Sequence, residues 1–163
     1  PEADALWLPG GYPELHAATL AANTPMLEAI RAFHQAGKPI LAECGGLMAC
    51  TETLVDKEGH EHALLGLLPG RATMAGRLKA LGLQSLNTSL GDLRGHTYHH
   101  SELETPCEPA ARTRKQAGSE GEAVYREGAL AASYFHGYFP SAPALVAAIF
   151  RGEPFTVTHS SSQ

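Results

Sequence analysis

The sequence predicts an α/β domain: a mostly parallel sheet flanked by helices, with an antiparallel excursion in the middle. Three observations carry that expectation. Short apolar runs, Ala5-Leu6-Trp7-Leu8 and Ile40-Leu41-Ala42, each end close to paired glycines, as buried strands running into turns do. Between them lie two helical segments and no hairpin signal, which calls for a crossover and therefore parallel strands. From Val55 to about Tyr125, by contrast, short alternating segments broken by glycine point to antiparallel pairing.

The elements follow in order. Pro9-Gly10-Gly11 stops the first strand, and Pro13 to Ala22 reads as a helix with proline tolerated in its first turn. Thr24-Pro25 supplies a cap and a first-turn proline for a helix over Met26 to Ala36, closed by Gly37. Met26, Leu27, Ile30 and Phe33 share one face of it, as packing on a sheet requires. Lys38 to Ala42 is the second strand, ending at Glu43-Cys44-Gly45-Gly46 and followed by the helix-competent Leu47 to Cys50. The middle is read as segments at 64–68, 72–75, 83–87, 95–102 and 110–113, with 115–122 as a polar turn. Leu130 to Phe135 is another strand and Ala142 to Phe150 a closing helix. The domain is expected to occupy 1–155, with 156–163 as a polar, frayed tail.

Composition narrows the class. With 163 residues, 44% hydrophobic and 18% charged, the chain has the make-up of an ordinary globular domain able to bury a core. Twelve basic against seventeen acidic residues leave a formal charge of −5 and no basic stripe, so no nucleic-acid partner is expected. No apolar run approaches a membrane span. Three cysteines, Cys44, Cys50 and Cys107, make no disulfide framework and suit a reducing cytoplasm. Cys44 and Cys50 are spaced unlike zinc ligands, and no metal site is expected.

Three segments carry chemistry. Cys44 stands at a strand-to-helix junction backed by two glycines. Such a turn exposes a nucleophile at the sheet's carboxyl edge and aims the following N–H at a developing oxyanion. A helix N-terminus beyond Cys44 is expected to favour thiolate over thiol. A cysteine here is otherwise an ordinary core residue. Gly10-Gly11, one crossover earlier, can present a second N–H, although a glycine pair that ends a strand is commonly just a turn. His136, in Ser133-Tyr134-Phe135-His136-Gly137-Tyr138-Phe139, closes a late strand and can face the same edge as a proton acceptor for the thiol.

Taken together and in order, LPGGYPE at 8–14, ECGG at 43–46, Gly76-Arg77 through Leu81-Gly82, LRGHTYHHS at 93–101 and SYFHGYF at 133–139 resemble the class I (triad-type) glutamine amidotransferase domain. The resemblance is to the form found in cobyrinic acid a,c-diamide synthases, and it spans nearly the whole chain. It implies a flavodoxin-like fold, with Cys44 as nucleophile, His136 as base, and the N–H groups of Gly11 and Gly45 as oxyanion hole. His100 and Ser101, on a loop facing the elbow, are expected to hold the glutamine backbone. Glu43 is a candidate for fixing the elbow.

The resemblance further implies an upstream domain that uses ATP and Mg²⁺ to activate corrin carboxylates, with no cofactor in this chain itself. It also implies an earlier strand and helix ahead of Pro1, so the domain is expected to be truncated at its start. The edge at Ala5 to Leu8 would then be open to a second copy, giving a possible homo-oligomer. In one respect the chain departs from the pattern. Triad enzymes carry a glutamate two residues after the histidine, and Tyr138 occupies that place, leaving a Cys–His dyad. Hydrolases of the same fold that place histidine directly after the cysteine are disfavoured by Gly45, whereas a noncatalytic module or a cobyric acid synthase-type amidotransferase remains open.

Overall fold

The computed structural model describes residues 2–158. Strand β1 (Leu6–Leu8) leads through a 3₁₀ turn (Pro13–His16) into α1 (Ala17–Ala22), so the expected first helix starts one turn tighter than an α-helix. Helix α2 (Thr24–Gln35) follows. Its cap is Asn23, not Thr24: the Asn23 side chain accepts the Met26 N–H at 3.3 Å, and Thr24 already lies inside the helix. Leu27 and Phe33 are buried, with Met26 and Ile30 packed beside them. Strand β2 (Ile40–Glu43) then runs into α3 (Gly45–Cys50).

The excursion comprises β3 (Thr51–Val55), β4 (Glu61–Ala63), β5 (Leu68–Met74), β6 (Ala80–Thr88), β7 (Gly91–His99), β8 (Ser101–Glu104), β9 (Ala111–Lys115) and β10 (Glu120–Glu127). Several expectations shift here. The apolar Leu64 to Leu67 form no strand. Arg31 takes the Leu64 and Leu65 carbonyls through its guanidinium, at 2.6 and 2.9 Å, in place of a ladder. The segment at 95–102 is two strands parted at His100. The polar turn at 115–122 shrinks to Gln116–Ser119, with Lys115 and Glu120 already paired in the flanking strands.

The chain closes with β11 (Leu130–Ser133), β12 (Phe135–Gly137) and α4 (Pro143–Arg151). One eight-stranded sheet has the order β1-β2-β11-β10-β9-β6-β7-β12, and a second has β4-β3-β5-β8. In the large sheet only β1–β2 and β2–β11 are parallel, and every pair beyond β11 is antiparallel. The expected mostly parallel sheet is therefore mixed, because long hairpins such as β6–β7 extend it sideways.

The main core gathers Ile40, Leu47, Leu54, Leu68 and Leu130, all fully buried, where the two sheets and α1–α3 meet. A smaller core of Leu86, Leu93, Phe135 and Leu145 seats α4 on one face of the sheet extension. The alternate residues Leu81, Leu83 and Tyr98 lie bare on the other face, Leu81 being 70% exposed. The expected frayed tail is tied down at its start. Ser89 donates to the Thr156 carbonyl at 2.9 Å and Thr158 to that of Asn87 at 3.0 Å, so the ordered domain runs past 155. The remainder of that tail, 159–163, lies outside the described residues.

Candidate active site

Cys44 occupies the single residue between β2 and α3. Its φ of 49° and ψ of −105° make it the sole non-glycine residue with positive φ among the described residues. A side chain held there stores roughly 1–3 kcal/mol of backbone strain, which surrounding bonds must hold in place. Those bonds are present: the Cys44 N–H donates to Ser133 O at 2.8 Å, and its carbonyl accepts the Met48 N–H at 3.0 Å. The elbow is therefore clamped between the neighbouring strand β11 and its own helix.

The two glycines behind it are required by close approach. A methyl on Gly46 would lie 2.0 Å from the Leu8 carbonyl oxygen. One on Gly45 would lie 2.6 Å from the Gly11 oxygen and 2.8 Å from the Gly11 nitrogen. The main chains of Gly11 and Gly45 thus touch, which brings together both expected oxyanion donors. Gly45 opens α3, so its N–H has no intrahelical acceptor. Gly11 makes no backbone hydrogen bond among the described residues.

His136 reaches the same place by a change of partner within one segment. The expected continuous strand over Leu130 to Phe135 breaks at Tyr134: β11 pairs with β2, while β12 pairs with β7, setting His136 opposite His96. The two imidazoles stack at 4.9 Å, and the His136 ring fills the space where Gly10 lacks a side chain. Cys44 and His136 line one open cleft of about 610 Å³, together with Trp7, Gly11 and Glu43. Cys44 also borders a smaller cavity of about 270 Å³ that holds Glu14, Lys57, His100 and Ser101. The cysteine stands at the junction of the two.

The electrostatics correct one expectation. Burial pushes the Cys44 thiol up to about 11. The Gly45 N–H pulls the other way, and the carboxylates of Glu14, Glu122 and Glu43 add to the rise. The expected thiolate is therefore replaced by a resting thiol, 8% exposed, whose S–H points at the Tyr98 carbonyl at 3.7 Å. Burial, and then the nearby His96 and His99, hold the His136 imidazole below its ordinary value, so it rests neutral and able to accept a proton.

His100 lies on the bend between β7 and β8, its Nε2 3.3 Å from the Tyr98 hydroxyl. Ser101 begins β8 and is buried rather than on the loop. Its hydroxyl donates to Tyr134 Oη at 2.8 Å, and the residue borders the smaller cavity. Tyr138 is 64% exposed and its N–H donates to Arg94 O, so it makes no contact that orients the base.

Glu43 is tied in more widely than its place before the nucleophile suggests, and His99 and Glu122 escaped the sequence reading. Glu43, 5% exposed, accepts the Trp7 indole N–H at 2.9 Å and the Gly137 N–H at 2.8 Å. Burial raises its carboxyl, and these two donors pull it back. His99 stacks on Tyr134 at 3.8 Å and lies 3.2 Å from Glu122. Burial pushes the Glu122 carboxyl up, yet the bonds from His99 and Thr97 outweigh it and leave it below the usual range. The period of two along β7 was the available signal, since it puts His96 on the face opposite buried Leu93 and Thr97.

All three cysteines are free, and among the described residues no three His, Cys, Asp or Glu side chains gather as a metal site. No helix among them is long and apolar enough to cross a membrane.

Comparison with known proteins identifies the family. Residues 1–144 match the model of the CobB/CobQ-like glutamine amidotransferase domain. The chain is 52% identical over 153 residues to a cobyrinate a,c-diamide synthase of Herminiimonas arsenicoxydans, covering 93% of this chain and 35% of that protein. It is 53% identical over 150 residues to a hydrogenobyrinate a,c-diamide synthase of Pseudomonas aeruginosa, covering 91% and 34%. The chain thus spans about a third of the length of these relatives. A crystal structure of a glutamine amidotransferase superposes with a TM-score of 0.59 at 19% identity, covering 91% of this chain and 79% of that one, which is a likeness of fold. On its sequence and its fold, this chain belongs to the CobB/CobQ-like glutamine amidotransferase family.

Proposed function

We propose that this chain is the glutaminase part of an a,c-diamide synthase, freeing ammonia from glutamine for amidation of a corrin acid. The observation that carries the proposal is the strained Cys44 elbow, sharing a cleft with a neutral His136 beside the touching main chains of Gly11 and Gly45. In this reading glutamine enters the smaller cavity, with His100 and the backbone at Ser101 against its amino-acid end. His136 takes the thiol proton as Cys44 Sγ attacks the side-chain amide. The oxyanion rests on the N–H groups of Gly11 and Gly45. The tetrahedral adduct collapses, the C–N bond breaks, and His136 returns the proton to the departing ammonia. Water, deprotonated by the same imidazole, then cleaves the thioester and releases glutamate.

A raised thiol does not forbid this sequence, because the proton moves to the imidazole only as the sulfur bonds carbon. It does favour a second reading, an inert module on the same fold. Labelling with 6-diazo-5-oxo-norleucine separates the two, since an inert module yields no Cys44 adduct.

ATP and Mg²⁺ belong to the remainder of such a synthase. No group of three His, Cys, Asp or Glu side chains among the described residues is placed to hold the metal. We place the complete protein in the cytoplasm, take the corrin substrate to be bound outside this chain, and take β1, at the sheet edge, as a site where a second copy can pair. The deciding experiment is Cys44→Ser in the complete protein. Glutamine-dependent amidation is lost and ammonia-dependent amidation persists. Retained glutamine dependence removes Cys44 from the mechanism.

A further inference from the structure

The base is held by few contacts of its own. Neither ring nitrogen of His136 has a hydrogen-bond partner among the described residues. The imidazole lies between Gly10 and the stacked His96, and its position follows the main chain of β12. That strand is the last of the sheet. Its partner β7 takes one side only, so alternate amides face away from it without a strand acceptor. The Gly137 N–H is one of these, and Glu43 Oε1 accepts it at 2.8 Å.

Glu43 directly precedes Cys44 and Gly137 directly follows His136. One buried carboxylate therefore joins the peptide flanking the nucleophile to the peptide flanking the base. The other oxygen, Oε2, accepts the Trp7 indole N–H at 2.9 Å, and the Trp7 ring packs on Phe139 at 5.1 Å. The base segment is thereby tied to β1 and β2 at two points just after His136, the Gly137 amide and the Phe139 ring.

We propose that Glu43 is the positioning residue of this site, acting through the main chain of Gly137 to hold His136 over Cys44 where Tyr138 supplies no carboxylate. It touches no reacting atom; it fixes the distance across which the proton moves. The inference rests on the reading of Cys44 and His136 as a glutaminase pair.

The test uses the complete protein with Glu43→Ala, Glu43→Gln and Trp7→Phe, measuring glutaminase kcat, the KM for glutamine and the pH profile of kcat/KM. Thermal melts and ammonia-dependent amidation serve as controls. Glu43→Ala frees the β12 amide, and a displacement approaching 1 Å at the base lowers kcat by about 10- to 100-fold. The KM stays within about threefold, because the cavity assigned to glutamine is lined by other residues. The acid limb of the profile moves up as His136 gains solvent.

Glu43→Gln keeps an oxygen for the Gly137 N–H and recovers most of the rate. Trp7→Phe removes only the second donor and falls between the two. If Glu43→Ala does not fold, the Gln and Phe variants carry the test, and both matching the parent in kcat and pH profile overturns the proposal. A Glu43→Ala protein with parental kcat and acid limb also overturns it, as does a loss that appears only as a lower melting temperature. Should the parent show no Cys44-dependent glutaminase, the underlying reading fails instead, so the two failures are told apart.

Discussion

The contact between the Gly11 and Gly45 main chains separates two substitutions that look alike in the sequence. An alanine at 45 puts its methyl 2.6 Å from the Gly11 carbonyl, roughly 0.8 Å inside ordinary van der Waals contact with backbone that cannot rotate away. The only relief is to part the two segments, which moves one oxyanion donor off its target. Removing a single such donor costs on the order of 10²- to 10³-fold in kcat, about 2.7–4 kcal/mol. An alanine at 11 meets nothing within 4 Å and keeps its N–H, so its kcat stays within about threefold of the parent. The assay is ammonia release from glutamine by the complete protein carrying Gly45→Ala or Gly11→Ala, with a thermal melt to check the fold. Full activity in Gly45→Ala, or an equal loss in Gly11→Ala, refutes the reasoning that the two main chains form one site.

Other expectations follow from the same geometry. Gly46→Ala drives a methyl to 2.0 Å from the Leu8 carbonyl and wedges α3 from β1; a destabilisation of about 1–3 kcal/mol should appear as a lower Tm, and an unchanged melt would contradict the packing. Alkylation of Cys44 by iodoacetamide should be slow at neutral pH and climb as pH rises toward about 11, whereas a rate that levels off near pH 8 would mean a stabilised thiolate. His136 must be neutral to act as base, and its lowered value keeps it neutral further into acid. The acid limb of kcat/KM should therefore lie below about 6.5, the ordinary imidazole value, and a limb above 7 would contradict the burial. Ser101→Ala leaves the buried Tyr134 hydroxyl without its donor and should lower stability by about 1–3 kcal/mol; a Tm equal to the parent's would show another donor there.

The parts of the fold legible in the sequence are those set by local rules. Strands β1 and β2 announce themselves because apolar runs stop at paired glycines, and those glycines prove to be demanded by contact with Leu8 and Gly11. Helix α2 shows its buried face by its period, although its cap was misplaced by one residue because Asn23 and Thr24 are both competent caps. The expectation of a thiolate failed for a mostly non-local reason: the burial that dominates appears only once the sheets have packed, and Glu14 and Glu122 come from distant segments to join the adjacent Glu43. The change of partner at Tyr134 was equally hidden, since whether 130–137 continues beside β2 or crosses to β7 depends on strands about ninety and forty residues away. Glu43 is legible only as a residue that could fix the elbow it precedes; its bonds to Trp7 and Gly137 bridge opposite ends of the chain.

That crossing at Tyr134 has a consequence for how the protein matures. A ribosome delivers the sulfur about ninety residues before the imidazole, and β11, which must slot between β2 and β10, is synthesised last of the three. Contacts so far apart in sequence form slowly. No half-made or clipped chain lacking the 130s can pair the two groups, so turnover reports completed folding. Until that strand inserts, the cysteine is an unshielded thiol of ordinary acidity, exposed to whatever oxidant is at hand.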